Sequence, residues 1–224
     1  MTLPDRRGLL IVSLPANDPA LAEAARDAGA DVIKVHINVR HLASGTAFGT
    51  LSEERERLTQ ILATGLPTGL VPGETDMVAP EEMPQLKEMR FAFLDAFVDS
   101  IRPYLYDAGI PVVPALPHSA ERQFLTRARD LPGDWVEAAA VDSQGYGKPP
   151  EDSDFATLRT VGATTKKHLI VPTQRRISPR DVSRYFEIPQ VAAIMIGAIV
   201  TGKAPGSLGR ATGEFRRELD RLFA

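Results

Sequence analysis

The chain has 224 residues, 43% of them hydrophobic and 25% charged, with a formal net charge of −3; this suits a packed core and excludes both a disordered chain and a basic surface for nucleic acid or an anionic membrane. There is no cysteine, so disulfides, thiolate nucleophiles and thiolate metal sites are excluded. The opening MTLPDRRGLLIVSLPAND carries an apolar run too short for a signal peptide or a membrane span, and the cytoplasm is the expected location.

Short apolar runs alternate with longer amphipathic ones, the order of βα units around a parallel sheet. Eight strands are predicted, at Leu9 to Leu14, Val32 to Asn38, Thr68 to Val71, Phe91 to Phe97, Pro111 to Leu116, Trp135 to Asp142, His168 to Pro172 and Ala193 to Val200. Helical patterns lie between them at Asp18 to Ala28, Ser52 to Ala63, Ser119 to Leu131, Asp154 to Gly162 and Pro179 to Phe186. The third unit, Met77 to Met89, carries two prolines, and the fourth, Arg102 to Asp107, leaves barely two turns for a helix. Eight strands with a helix after most of them predict an α/β fold of one domain, residues 1–224, closed into a (β/α)8 TIM barrel, which usually takes about 250 residues. A doubly wound open sheet is the alternative, but no Gly-rich dinucleotide fingerprint follows the first strand.

In a barrel, function belongs at the C-terminal ends of the strands. Alternation along the second strand puts Lys34, His36 and Asn38 on one face and Ile33, Val35 and Ile37 on the other. The apolar set belongs against the helices, which points the polar set inward. An inward lysine is costly unless it is paired or its pKa is shifted, and a charged pair low in the barrel is its ordinary structural explanation. His36, nearer the mouth, suits proton transfer at neutral pH. Glu74 after the third strand and Asp95 on the fourth, with Asp99 just past it, add carboxylates; His118 follows the fifth strand, where it is equally suited to a helix entry. After the sixth comes DSQGYGKPP, which offers Asp142, Gln144, Tyr146 and Lys148 on a glycine-rich loop able to close over a ligand.

The last strand breaks at Gly197 within VAAIMIGAIVTG. A glycine there lets backbone N–H groups of Gly197 or Ala198 approach an anion, with Gly206 or Ser207 opening the last helix. Thr173, Gln174, Arg175 and Arg176 follow the seventh strand, and a guanidinium from Arg175 or Arg176 would complete a phosphate site.

Four stretches carry a resemblance: GLLIVSLPANDPAL at Gly8 to Leu21, AGADVIKVHINVRHL at Ala28 to Leu42, QGYGKPP from Gln144, and IMIGAIVTG. They look like the corresponding segments of bacterial N-acetylmannosamine-6-phosphate 2-epimerases, a family of the ribulose-phosphate-binding barrels. The resemblance implies a barrel that binds a phosphorylated sugar, with the phosphate near Gly197, Ala198 and the loop after Pro172. The family's lysine at the end of the third strand and glutamate at the end of the seventh are replaced here by Pro72 and by Pro172 or Thr173. A proline exchanges no proton, so acid and base have to come from elsewhere.

Three classes of function follow. The first is an isomerase, epimerase or lyase acting on a small phosphorylated sugar by acid–base chemistry, with Lys34, His36, Glu74 and Asp95 as the catalytic candidates and no cofactor; a variant is Schiff-base, aldolase-type chemistry on Lys34. The second is a catalytically inactive barrel that binds a phosphorylated metabolite as a sensor or within an assembly. The third, a metal enzyme, has little support, because His36 and His41 lack a matching carboxylate pair. Lys34→Met and His36→Gln are expected each to cost about 2 to 4 kcal/mol of transition-state stabilisation, with much less effect on the fold. A homodimer is the expected assembly, on symmetry grounds.

Overall fold

The polypeptide was analysed as a computed structural model, which describes residues 3–224. Eight parallel strands follow one another around a closed barrel: β1 (Leu9–Ser13), β2 (Val32–His36), β3 (Thr68–Val71), β4 (Phe93–Phe97), β5 (Val112–Ala115), β6 (Trp135–Glu137), β7 (His168–Pro172) and β8 (Val191–Ile196), with β8 pairing back onto β1. The helices are α1 (Pro19–Asp27), α2 (Leu51–Leu62), α3 (Met83–Met89), α4 (Arg122–Asp130), α5 (Asp152–Thr165), α6 (Val182–Phe186), α7 (Ala198–Thr201) and α8 (Pro205–Phe223). Local chemistry sets their starts. Asp18 caps α1 by accepting the Ala20 N–H, with Pro19 in the first turn, and Thr50 and Glu53 form a reciprocal capping box on α2.

The two units with weak helical patterns have short helices. Pro80 and Pro84 sit in first turns, where a missing N–H costs nothing, so the third unit is a 3₁₀ turn at Pro80–Glu82 running into α3. The fourth has only the 3₁₀ turn Pro103–Tyr106. β1, β2, β4 and β5 are shorter than expected by one or two residues, and two strands differ more. β6 ends at Glu137 rather than Asp142, and β8 spans Val191–Ile196 rather than Ala193 to Val200, because the chain turns at Gly197 into α7.

The pleat divides the side chains into two sets. Leu10, Val12, Ile33, Val35, Leu70 and Leu94 pack outward with the helices, while Leu9, Ile11, Val32, Phe93, Val113, Ile170 and Ala193 pack inward as a separate cluster. Phe93 plugs this barrel floor. It does so because its neighbour in the ladder is Gly69, where a Cβ would come within 2.2 Å of the Phe93 ring. The next inward residues are polar on β1, β2, β4 and β6 (Ser13, Lys34, Asp95 and Glu137) and apolar on β5, β7 and β8 (Ala115, Pro172 and Met195), and together they line the cavity at the barrel mouth. Among the described residues, no helix is long and apolar enough to cross a membrane.

Candidate active site

The cavity opens at the C-terminal ends of the strands and holds about 110 Å³. Its polar floor is one lysine between two carboxylates: Lys34 Nζ donates to Glu137 Oε2 at 2.6 Å and to Asp95 Oδ2 at 3.0 Å. The three side chains come from β2, β4 and β6 and are almost wholly buried. Burial alone would lower the Lys34 pKa, but the charges and hydrogen bonds of Asp95 and Glu137 outweigh it and hold the ammonium above its ordinary 10.5. Burial and the neighbouring Glu137 charge push Asp95 well above the usual carboxylate value. Burial also opposes ionisation of Glu137, yet the Lys34 charge and hydrogen bonds from Asp95 and Lys34 keep it below its ordinary value. The group therefore sets one ammonium between two carboxyls of opposed tendency, Asp95 held toward its protonated form and Glu137 toward its carboxylate.

The predicted register on β2 holds. Lys34 and His36 both line the cavity, while Ile33, Val35 and Ile37 belong to the outer cluster. Lys34 is paired, however, so the expectation that its removal would hardly affect the fold is corrected: losing it leaves two buried carboxyls without their cation. His36 is clamped by Asn17, whose Nδ2 donates to His36 O at 2.7 Å and to Glu54 Oε2 at 3.2 Å. Its ring lies 4.6 Å from that of His41 and 4.7 Å from Phe48. Burial first, then His41 and Lys34, hold the His36 pKa well below 6.5, and burial brings His41 down to about 4, so both imidazoles are neutral at pH 7. His41 belongs to the loop after β2, which folds back on itself through an Arg40–Ala47 bridge and brings Val39, His41, Leu42 and Ala43 to the cavity wall.

Buried polar side-chain atoms without a hydrogen-bond partner among the described residues include Ser13 Oγ, His36 Nδ1 and Asp95 Oδ1. All three residues line this cavity. Native proteins pair nearly all such atoms with protein or water, so three around one cavity leave hydrogen-bonding capacity there for solvent or a ligand.

The opposite wall is made by the loops after β5, β6 and β7. Gln174 is fixed by the Val141 backbone, accepting its N–H at 3.0 Å and donating to its C=O at 3.1 Å. Gln174 Nε2 also donates to the Tyr146 hydroxyl at 2.9 Å, and that hydroxyl lies 3.0 Å from His118 Nδ1. Burial pushes the Tyr146 pKa up to about 12 and lowers that of His118.

Of the sequence candidates, Lys34, His36, Glu74, Asp95, His118, Tyr146, Thr173, Gln174 and Gly197 meet on this cavity. Glu74 stands at the exposed rim, its pKa raised by partial burial. Asn38 is not brought in. It turns at φ 54° and reaches toward Pro72 O at 3.5 Å. Asp142 caps a 3₁₀ turn by accepting the Gln144 N–H at 2.8 Å, and Asp142, Gln144 and Lys148 are exposed off the cavity. Arg175 is likewise absent from the mouth: its guanidinium reaches back to Asp154 at 2.9 Å and Glu151 at 3.4 Å on the helical side. The Gly197 N–H is not free, since it donates to Thr173 Oγ1 at 2.9 Å; Gly197 caps the short α7, Ala198 opens that helix off the cavity wall, and α8 opens at Pro205 with Gly206 and Ser207 in its first turn. Sequence reasoning missed Glu137 and Ser13. Alternation from Trp135 turns Glu137 inward by the argument that placed Lys34, and a carboxylate inside an apolar strand was the available signal.

The chain was then compared with known proteins. No family model and no curated relative matches the sequence, so the resemblance to the epimerases has no sequence match behind it. Among solved structures, a chain of tryptophan synthase from M. tuberculosis superposes with a TM-score of 0.70 at 14% identity, covering 96% of this chain and 93% of that one. Phosphoribosyl anthranilate isomerase from Thermus thermophilus gives 0.61 at 16%, covering 96% and 99%, and 3-keto-L-gulonate-6-phosphate decarboxylase from Vibrio cholerae gives 0.65 at 12%, covering 97% and 100%. The chain has the fold of these barrels. At such identities the likeness is one of fold, and the chemistry has to be argued from the site.

Proposed function

We propose that the chain is an enzyme that moves a proton next to the carbonyl of a small phosphorylated sugar, as an isomerase, an epimerase or the first step of a lyase. The observation that carries this reading is the Lys34–Asp95–Glu137 group on the cavity floor, with Asp95 Oδ1 unpartnered. In the proposed step, Asp95 Oδ1 takes the proton from the carbon beside the carbonyl as the proton already on Asp95 passes to Glu137. The C–H electron pair becomes the new C=C bond, the carbonyl π pair moves to oxygen, and the Lys34 ammonium offsets the enolate charge. Return of the proton to the same or another carbon completes an isomerisation or epimerisation. Because Lys34 is held protonated, this role is favoured over Schiff-base chemistry, which needs the neutral amine.

Among the described residues, Lys34 is the one lysine or arginine on the cavity wall, and it is paired, so a phosphate here would rest on uncharged donors. Gly197 supports placing it at the β8 end. Its backbone is extended at φ −139° and a Cβ would meet nothing closer than Ser13 Cβ at 3.7 Å, so packing within the chain does not demand glycine there. A ligand approaching the backbone would.

The test is solvent exchange. In D2O, N-acetylmannosamine 6-phosphate, ribulose 5-phosphate and their dephosphorylated counterparts are followed by ¹H NMR for loss of the signal beside the carbonyl. Exchange in a phosphorylated compound that disappears in Lys34→Met supports the reading, and selective loss of phosphorylated ligands in Gly197→Val supports the phosphate position. Binding without exchange would instead indicate a catalytically inactive metabolite-binding barrel, and a borohydride-trapped adduct on Lys34 would indicate the aldolase-type alternative. Phosphate binding away from Gly197 would remove the phosphate assignment. A homodimer stays a proposal resting on symmetry: among the described residues, the exposed large hydrophobic ones are Leu42 at the mouth and Phe223 at the end of α8, which lie apart and form no patch on the outer helices. Light scattering decides it.

A further inference from the structure

Gln174 is a hydrogen-bond device of fixed polarity. The Val141 N–H points at Oε1, which leaves Nε2 as the donor side of the amide, and Nε2 then faces Val141 O at 3.1 Å, the Tyr146 hydroxyl at 2.9 Å and His118 Nδ1 at 3.1 Å. Two amide hydrogens face these three acceptors, so with one on Val141 O and the other on the Tyr146 oxygen, the tyrosine's own hydrogen is available to His118 Nδ1 at 3.0 Å. A bare Nδ1 can accept that hydrogen, whereas a hydrogen on Nδ1 would crowd the Gln174 NH2 group 3.1 Å away, which has no lone pair to accept it. This arrangement favours the imidazole hydrogen on Nε2, across the ring from this wall. Among the described residues Nε2 has no partner, although His118 lines the cavity. The ring is held further by the edge-on Phe97 at 5.2 Å and by a backbone at φ 55°, an uncommon conformation for a residue other than glycine. His118 follows β5, between the strands that carry Asp95 and Glu137.

We propose that His118 is a catalytic residue that presents a neutral Nε2–H to the substrate oxygen on which negative charge develops, and that Tyr146 and Gln174 are positioning residues that set its tautomer. The inference rests on the acid–base reading above and deepens it: the substrate's carbonyl oxygen lies against the β5–β7 wall, and the carbon that loses its proton lies toward Asp95. A neutral imidazole fits this task because it donates a hydrogen bond without placing a second cation beside Lys34, and a donor already oriented needs no rearrangement as charge appears. The burial that lowers the His118 pKa acts in the same direction.

The experiment has two arms. Long-range ¹H–¹⁵N NMR of the full chain at pH 7, without ligand, reads the tautomer directly. Nε2 protonated and Nδ1 bare is expected for the natural chain and for Tyr146→Phe, where the Gln174 donor persists, whereas the double variant Tyr146→Phe with Gln174→Met should show a tautomer mixture. A hydrogen on Nδ1 in the natural chain, or a double variant with the tautomer unchanged, overturns the positioning roles whatever the enzyme does. In the second arm 2-phosphoglycolohydroxamate, an enediolate mimic, is added. A downfield shift of the His118 Nε2 proton, with a 100- to 1000-fold fall in kcat for exchange in His118→Asn and partial recovery in His118→Gln, is expected. An unmoved Nε2 proton and an unimpaired His118→Asn, in a protein whose exchange still depends on Lys34, overturn the His118 role and leave the acid–base reading standing. Exchange absent from the natural chain overturns that reading and the catalytic role together, with the tautomer still judged by the first arm.

Discussion

The barrel interior has two consecutive layers built from the same strands, and they are stabilised in opposite ways. In the floor, Val32, Phe93 and Trp135 precede by two residues the cavity residues Lys34, Asp95 and Glu137. The floor layer is complete in itself, since Phe93 fills the space that Gly69 leaves. The layer above satisfies itself only in part: its one ammonium and two carboxyls match each other, yet Ser13 Oγ, His36 Nδ1 and Asp95 Oδ1 stay unpartnered. A layer that packs serves stability, and one that keeps unpaired hydrogen-bonding groups against a cavity is open to a ligand.

The largest expected effects fall on both layers and separate them. Phe93→Ala should lower unfolding free energy by about 3–5 kcal/mol in urea titration, as for other large-to-small aromatic changes in cores. Exchange per folded molecule should be retained. Asp95→Asn combined with Glu137→Gln should cost about the same in stability, because Lys34 is then buried without a counter-charge; here exchange should vanish. If the double variant is as stable as the natural chain, Lys34 is not held by these carboxyls. The comparison would then fail.

Next in size is the kinetic effect of Lys34→Met, expected at about 2–4 kcal/mol in kcat/KM for exchange, accompanied by a measurable loss of stability because the two carboxyls lose their cation. His36→Gln should lower the rate less, since its imidazole, neutral at pH 7, can hydrogen-bond but carries no imidazolium proton to transfer. A kinetic pKa near 6.5 that disappears in His36→Gln would contradict this.

The smallest effects separate the two carboxyls by pH. Asp95 is raised in the folded state, so its ionisation works against folding as pH climbs above its ordinary 3.8, and Asp95→Asn should change stability by less than about 1 kcal/mol at pH 7 or slightly increase it. Glu137 is lowered, so its contribution is present above its ordinary 4.5 and is lost as pH falls through the folded value. Glu137→Gln should therefore destabilise at pH 7 and much less in acid, with the loss limited because Asp95 can ionise and take over the pairing. Lys34, raised above 10.5, adds stability that is full below that pH and is lost only as the pH rises through its higher folded value.

The sequence by itself determined the architecture and one face of the site. Near-continuous apolar runs alternating with amphipathic ones specify a parallel sheet covered by helices, and period-two alternation on β2 aims Lys34 and His36 inward because Ile33, Val35 and Ile37 have only the helices to pack against. Glu137 was readable in the same way. Tertiary structure alone decided what these residues meet. Lys34, Asp95 and Glu137 come together across 61 and 103 residues, and His118, Tyr146 and Gln174 across 28 and 56, because closing the barrel brings side chains from distant strands into one layer. The loops show the limit of adjacency most clearly. Gln174 and Arg175 are neighbours in the chain, yet Gln174 turns to the cavity and Arg175 turns away to Asp154 at the start of α5. A half-buried carboxylate in reach fixes a guanidinium more firmly than closeness to Gly197 at the neighbouring strand end, and only the packing of α5 against the barrel supplies that carboxylate.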